Sequence, residues 1–442
     1  MRYRFGRGFA IMSDASRQTQ SPWKVRDYRV WFTADTSLLI GVSIGAFAFD
    51  LLGYTVSHDV AVAGFVATVY SLVRGAATLA GGVIIDRFDR KRLMVVGGLA
   101  SFAVLVGMIG AWLAGLMTVP VLFAFAALRG LTSGLFSGVT DTVLPQIVSG
   151  GQLTQAYAAN QTRDAVAGML SSPLSGWLYA FGPEIPFIVS AVMYVVLVAC
   201  APFIRADLRP EAGRAGDRRT EEEKAEAAAH ADKSLTAALR WFAQWPAATV
   251  NFALIAIMNF GLNLGPTIAI LHQQAIGTPA WIIGMLNLFN GAGMLIGSTL
   301  TEPMTKRLRG GRVVQISLMP TVVALVVMTL TDNPWTIAVS CGVAVFLLIP
   351  GNAVIGAYTE LIVPNDMRGR VNSFFSLLSM LLGSLASALS GVMLKAMGYT
   401  LAMAVSTLVL VAALALTIGA KAVRDIPFCG EFDAIQPLPL KA

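Results

Sequence analysis

Gly82-Val83-Ile84-Ile85-Asp86-Arg87-Phe88-Asp89-Arg90-Lys91-Arg92 is the stretch that decides the fold of this chain. An apolar run from Val60 to Ile85 stops there in six charged residues out of seven, and apolar sequence resumes from Leu93 to Leu116. Two long apolar runs about a short charged segment predict two membrane helices joined by a tight turn. Its four cations orient the pair, because Lys and Arg in short loops are retained on the cytoplasmic side.

Composition extends this reading to the whole chain. The 442 residues are 56% hydrophobic and 13% charged, against roughly 25% charged in a soluble domain. A span needs about 20 apolar residues, and spans are predicted over 30–54, 60–85, 93–116, 119–145, 155–181, 185–204, 246–271, 278–302, 313–331, 335–361, 370–396 and 399–420. An even number puts both termini on one side. All but four of the 32 Lys and Arg then fall in cytoplasmic segments, the exceptions being Arg74, Arg129 and Arg163 within spans and Lys395 near an outer end. The net charge of +7 therefore reports membrane topology rather than nucleic-acid binding. No apolar run precedes Trp31, so no cleaved signal peptide is expected. Cys200, Cys341 and Cys429 are odd in number and scattered, predicting neither a disulfide framework nor a metal site.

The organisation predicted is a cytoplasmic arm (1–29), a six-helix bundle (30–204), a polar cytoplasmic linker (205–245), a second six-helix bundle (246–420) and a cytoplasmic tail (421–442). Within the linker, Leu235 to Trp245 has helical apolar spacing and is expected to lie on the inner membrane surface. The halves repeat with a constant shift of 215: Gly82 meets Gly297, Lys91 meets Lys306, Gly168 meets Gly383, Ser172 meets Ser387, and Ser175-Gly176 meets Ser390-Gly391. Such a duplication places a working cavity between the bundles near the bilayer midplane.

The opening stretch resembles the loop motif of the major facilitator superfamily, G-x-x-x-D-R-x-G-R-K/R, with Asp89 in place of the usual Gly. With Leu93-Met94, Leu144-Pro145-Gln146-Ile147-Val148 and Val363-Pro364-Asn365-Asp366-Met367-Arg368-Gly369-Arg370-Val371, it is similar to the drug:proton antiporter branch that includes macrolide-efflux proteins and enterobactin exporters. The resemblance implies an all-α membrane protein of twelve transmembrane helices in two six-helix bundles. It implies that Gly82 lets helices pack closely, that Asp86 meets the start of the eleventh span, and that Arg90 pairs with Asp141. These contacts, with Arg87, Lys91 and Arg92 in the same motif, would latch the outward-facing state; the alternative is that the charges only set topology. Gly168, Pro173 and Gly176 match the antiporters' fifth-helix motif, with Ser172 and Ser175 where Gly is common.

Charges inside spans are costly, about 3 kcal/mol or more each, and mark function. Among them are Asp35 and Asp50 in the first span, Arg74 in the second and Arg129 in the fourth, where Arg129 resembles the family's proton-coupling Arg. Asp35 is the favoured proton carrier with Arg129 as modulator, and Asp50 is the runner-up. A static pairing of either acid with Arg74 or Arg129 is the alternative. Arg163-Asp164 reads as a local pair without a transport role. In the second half Asn251, Asn259, Asn263, Asn287, Asn290 and Asn352 are candidates to line the cavity and hydrogen-bond a substrate, or to join helices.

The function expected is export of amphipathic or hydrophobic compounds by proton antiport in the cell's inner membrane, with a small-molecule substrate, protons and the bilayer as partners. The chain is expected to act as a monomer with no cofactor beyond the proton gradient. A dedicated siderophore or metabolite exporter and an uptake symporter are the alternatives. An enzyme is disfavoured, because only three His occur, at 58, 230 and 272, and no nucleophile or phosphate-loop motif appears.

Overall fold

The computed structural model describes residues 21–209 and 239–438. Among them the regular elements are all helices, and nine are long and apolar enough to cross a membrane. The first part of the chain supplies α1 (Arg26–Ser57), α2 (Val60–Arg87), α3 (Arg90–Leu113), α4 (Val119–Leu135), α5 (Gly150–Tyr179) and α6 (Ile185–Cys200). The second supplies α7 (Pro246–Ala275), α8 (Ala280–Arg307), α9 (Gly310–Thr329), α10 (Pro334–Ile362, broken at Leu347) and α11 (Asn365–Gly419). Within α11, Gly398 is non-helical at φ 75° and falls between the last two expected spans.

The charged stretch forms the α2–α3 turn. Asp89, where the resembling motif has Gly, caps α3 by accepting the Lys91 backbone N–H at 2.9 Å, which satisfies a helix-start donor that a glycine could not. At the other end of α2, His58 adopts φ 52° and Asp59 caps the helix by accepting the Ala61 N–H at 2.9 Å. The fourth span is expected over 119–145, but its helix ends at Leu135. Glycines bring it hard against α2: a Cβ on Gly134 would lie 2.3 Å from the Arg74 carbonyl oxygen. Poor helix formers follow, Gly138 takes φ 77°, and only Leu144–Ile147 is helical again before α5.

Most buried apolar side chains of residues 28–208 form one cluster, which includes Trp31, Met108, Leu122 and Leu144. Other clusters draw mainly on the second part, around Ile268, Met328 and Met403, and around Leu254, Val314 and Ile355. The arm as far as residue 20 and the linker from 210 to 238, with the start of its expected surface helix, lie outside the described residues. Residues 239–244 are helical, and there Trp241 is buried against Phe252, Ile362 and Val371, donating its indole N–H to the Leu438 carbonyl at 2.8 Å. This end of the expected surface helix thus docks on protein.

Two residues matched by the 215-residue shift, Ser175 and Ser390, take matching places. Ser175 Oγ of α5 donates to the Ile44 carbonyl of α1 at 2.8 Å, and Ser390 Oγ of α11 donates to the Leu264 carbonyl of α7 at 3.3 Å. The two parts of the chain meet where α2 packs on α11 and α5 on α8. Side-chain bonds that join them, among the described residues, include Thr68 to the Ser384 carbonyl at 3.1 Å, Asn287 to Ser172 at 3.2 Å, and Lys395 to Asp59.

Candidate functional site

Between the two parts lies a cavity of about 760 Å³, lined by Ser71, Arg74 and Thr78 of α2 and by Asn263, Asn372 and Ser384 across from them. Ser71 and Ser387 also line a second chamber of about 220 Å³, which continues toward the end marked by Asp59 and Lys395. Asp50, Tyr70, Arg129 and Gln274 stand in its walls. Its far side is sealed by helix contact, since a Cβ on Gly64 would lie 2.6 Å from the Ser387 carbonyl oxygen.

Arg129 is held in this chamber without a carboxylate bond. Its Nη1 donates to the Gly45 carbonyl at 2.8 Å, and the guanidinium lies 4.9 Å from the Phe49 ring centroid, 5.9 Å from Phe187 and 6.0 Å from Tyr70. Aromatic faces and a carbonyl offset part of the penalty of placing a cation at this depth. Asp50 opens into the chamber beside it. Gln274, which the sequence reading did not single out, is nine-tenths buried, and neither amide atom has a hydrogen-bond partner. Its only sequence signal is the polar pair Gln273-Gln274 closing an apolar helix.

Asp35 lies elsewhere. It lines another cavity of about 270 Å³, formed by the first part of the chain, together with Arg74, Asp141, Arg163 and Asp164, and this cavity shares Arg74 and Ser137 with the large one. Its partner is neither Arg74 nor Arg129: Arg163 Nη2 sits 2.6 Å from Asp35 Oδ2 and 2.7 Å from Asp164 Oδ1. The reading of Arg163-Asp164 as a purely local pair is therefore corrected. Position 163 on α5 faces α1, so the same guanidinium that meets its neighbour also crosses to Asp35. Arg74 lines both this cavity and the large one, and among the described residues it makes no ion pair.

The loop-motif residues are only partly brought together. Asp141 shares the Asp35 cavity, whereas Arg90 has its Nε and Nη1 buried without a partner, so the expected Arg90–Asp141 pair is not made in this structure. Among the described residues Asp86 has no ion pair, Arg87 and Arg92 are exposed, and Lys91 donates to the Ile204 carbonyl at 2.5 Å. Gly82 is open, and the close approach expected of it falls at Gly81, whose Cβ would lie 2.5 Å from the Leu135 carbonyl oxygen. On α5 Gly168 is also open, while Pro173 and Gly176 face α8 at Gly284 and Ala280. Of the asparagines, Asn263 lines the large cavity, Asn287 ties α8 to α5, and Asn251 is buried with its Oδ1 unpartnered. Asn263 donates to the Asn259 carbonyl at 2.7 Å. Asn290 is half-buried and Asn352 exposed, and neither lines these cavities.

Apolar helices packed about a polar-lined cavity between two related parts of one chain define a multi-pass membrane transporter. The sequence profile of the Major Facilitator Superfamily matches residues 33–387, and the chain belongs to that superfamily. It is therefore a transporter of a small-molecule substrate and not an enzyme. It is 23% identical over 373 residues to the enterobactin exporter EntS of Citrobacter koseri, covering 82% of this chain and 84% of that one. The same identity and coverage hold for the enterobactin exporter EntS of Escherichia coli O1:K1 / APEC. Among solved structures, it resembles a bacterial homologue of the iron transporter ferroportin in an inward-facing state, with TM-score 0.66, 16% identity, and 89% and 98% of the two chains covered. A bacterial homolog of the human lysosomal transporter Spinster, also inward-facing, has TM-score 0.65, 14% identity, and 92% and 98% coverage. At these identities the solved structures establish the fold.

Proposed function

We propose that this protein is a secondary active transporter that exports amphipathic, mostly apolar compounds in exchange for protons, through twelve spans in two six-helix bundles with both termini cytoplasmic. The observation that carries the reading is that the large cavity and the chamber holding Asp50 and Arg129 share Ser71 and Ser387 in their walls. A substrate entering the cavity and a proton binding the carboxylate would thus occupy adjoining spaces. The matched bonds of Ser175 and Ser390 support the pairing of bundles, and the charge distribution supports the orientation. With that orientation the end sealed by Lys395 and Asp59 faces outward and the form is inward-open.

We assign proton exchange to Asp50, with Arg129 as its modulator. Rocking between sealed and wetted surroundings changes a carboxylate's proton affinity, and Asp50 stands in the space that rocking would open. Asp35, bound to Arg163 inside one part of the chain, fits a supporting role. The likeness to enterobactin exporters supports the outward direction, and a dedicated siderophore exporter is the second reading. The test is accumulation of a panel of fluorescent dyes and drugs in cells with and without the protein, repeated after collapsing the proton gradient. Lower accumulation that vanishes with the gradient is expected. Unchanged accumulation across the panel would shift the reading to the dedicated exporter, and raised accumulation would overturn export.

A further inference from the structure

A segment of 201–209 lies across one end of the first part of the chain, strapped down on both sides. Asp27 Oδ2 accepts the backbone N–H groups of Arg205 and Ala206 at 3.0 and 2.8 Å, the Arg90 N–H donates to the Leu208 carbonyl at 3.3 Å, and Ile204 and Leu208 are buried. An open groove flanks the strap on each side. One, of about 480 Å³, is lined by Arg87, Arg92 and Arg209 with Phe88 and Val96. The other, of about 320 Å³, is lined by Arg26 and Arg29 with Val30 and Phe203.

Both grooves combine guanidinium groups with exposed apolar side chains at a helix end. Phe88, Val96 and Phe203 are more than half exposed, which in this chain marks surface that meets lipid tails. Three guanidinium groups face one carboxylate, Asp89, in the first groove, and Arg209 also lies 4.0 Å from Asp207, so the groove keeps an excess of positive charge. Neither groove is an enclosed pocket for a soluble ion, and the apolar side chains beside each have no use for one. Charge and apolar surface side by side complement a molecule that is anionic at its head and apolar below it.

We propose that the two grooves beside the 201–209 strap are headgroup sites for anionic diacyl phospholipids, with Arg92 and Arg209 holding one phosphate and Arg26 and Arg29 the other. Each lipid would sit against a part of the chain already bonded to the strap, so occupancy would brace the α2–α3 turn through the Lys91 to Ile204 bond.

The test is native mass spectrometry of the full chain released from detergent, titrated with phosphatidylglycerol, phosphatidylcholine or inorganic phosphate. Wild type is expected to retain two phosphatidylglycerol molecules in preference to phosphatidylcholine. Arg92→Gln/Arg209→Gln should lose one and Arg26→Gln/Arg29→Gln the other, each with affinity lower by roughly thirtyfold. Arg92→Lys/Arg209→Lys, which keeps the charge, should retain the lipid and guards against a folding defect in the glutamine variant. Equal retention by the glutamine variants, equal retention of phosphatidylcholine, or inorganic phosphate bound as tightly as the lipid would each overturn the assignment.

Discussion

Gly176 of α5 and Gly391 of α11 stand 215 residues apart in the chain and do the same thing. A Cβ on either would fall 2.3 Å from a backbone oxygen of the other part of the chain, Ala280 for Gly176 and Val60 for Gly391. Two helix crossings without side chains between them thus close one end of the cavity, as small residues permit in membrane helix packing.

Substituting Leu for Gly391 is expected to prevent that closure. Overpacking at such a contact costs about 1–3 kcal/mol, enough to shift the open and closed populations by roughly fivefold to a hundredfold. The readout is the labelling rate of Gln274→Cys by a membrane-impermeant maleimide, in a background lacking Cys200, Cys341 and Cys429. Labelling from the sealed side should rise in the Gly391→Leu protein, and an unchanged rate would count against the gate.

The pair of Asp35 and Arg163 predicts a stability difference. Both side chains are largely buried, at 8% and 11% exposure, so Arg163→Ala strands a carboxylate at a cost of about 3–5 kcal/mol. Asp164, half exposed on the other side of the guanidinium, should cost about 0–1 kcal/mol when changed to Ala. Thermal unfolding in detergent checks both, and Asp35→Asn/Arg163→Gln should recover part of the first loss.

Export separates the two acids of α1. Asp50→Asn is expected to abolish gradient-driven export while substrate binding persists, whereas Asp35→Asn should reduce export in proportion to lost stability. Export measured per folded molecule decides between them. Full activity in the Asp50→Asn protein would return the proton to Asp35 or to neither.

The contact of Asp59 with Lys395 makes a prediction about pH. The hydrogen bond from Lys395 holds the Asp59 carboxyl below its ordinary value of 3.8. A depressed carboxylate contributes above its unfolded value, and the contribution is lost as pH falls through the depressed one. The clamp should therefore be constant from about pH 5 to 8. Asp59→Asn should alter transport by the same factor across that range, and a ratio that changes with pH would point to Asp59 as a coupling group.

Much of this protein was legible in one dimension. The apolar runs, the charged turn at 86–92, the bias of Lys and Arg and the 215-residue repeat depend on each segment's own transfer energy and length, and the helices fall within a few residues of the spans read from them. The fourth span was the exception, where Gly134 and Gly138 end the helix early.

What only the tertiary structure decided is which side chains face one another. A helix that is apolar on every side carries no stripe to announce its buried face, so rotation about its axis is set by packing alone. That is why the close-approach glycine is Gly81 and not Gly82, why Asp35 meets Arg163 while Asp50 shares a chamber with Arg129, and why Gln274 was invisible until its neighbours were placed. The sequence determined which segments are long and apolar enough to cross a membrane, because each segment's length and transfer energy are its own. The tertiary structure decided the site, because a cavity is a property of helices taken together.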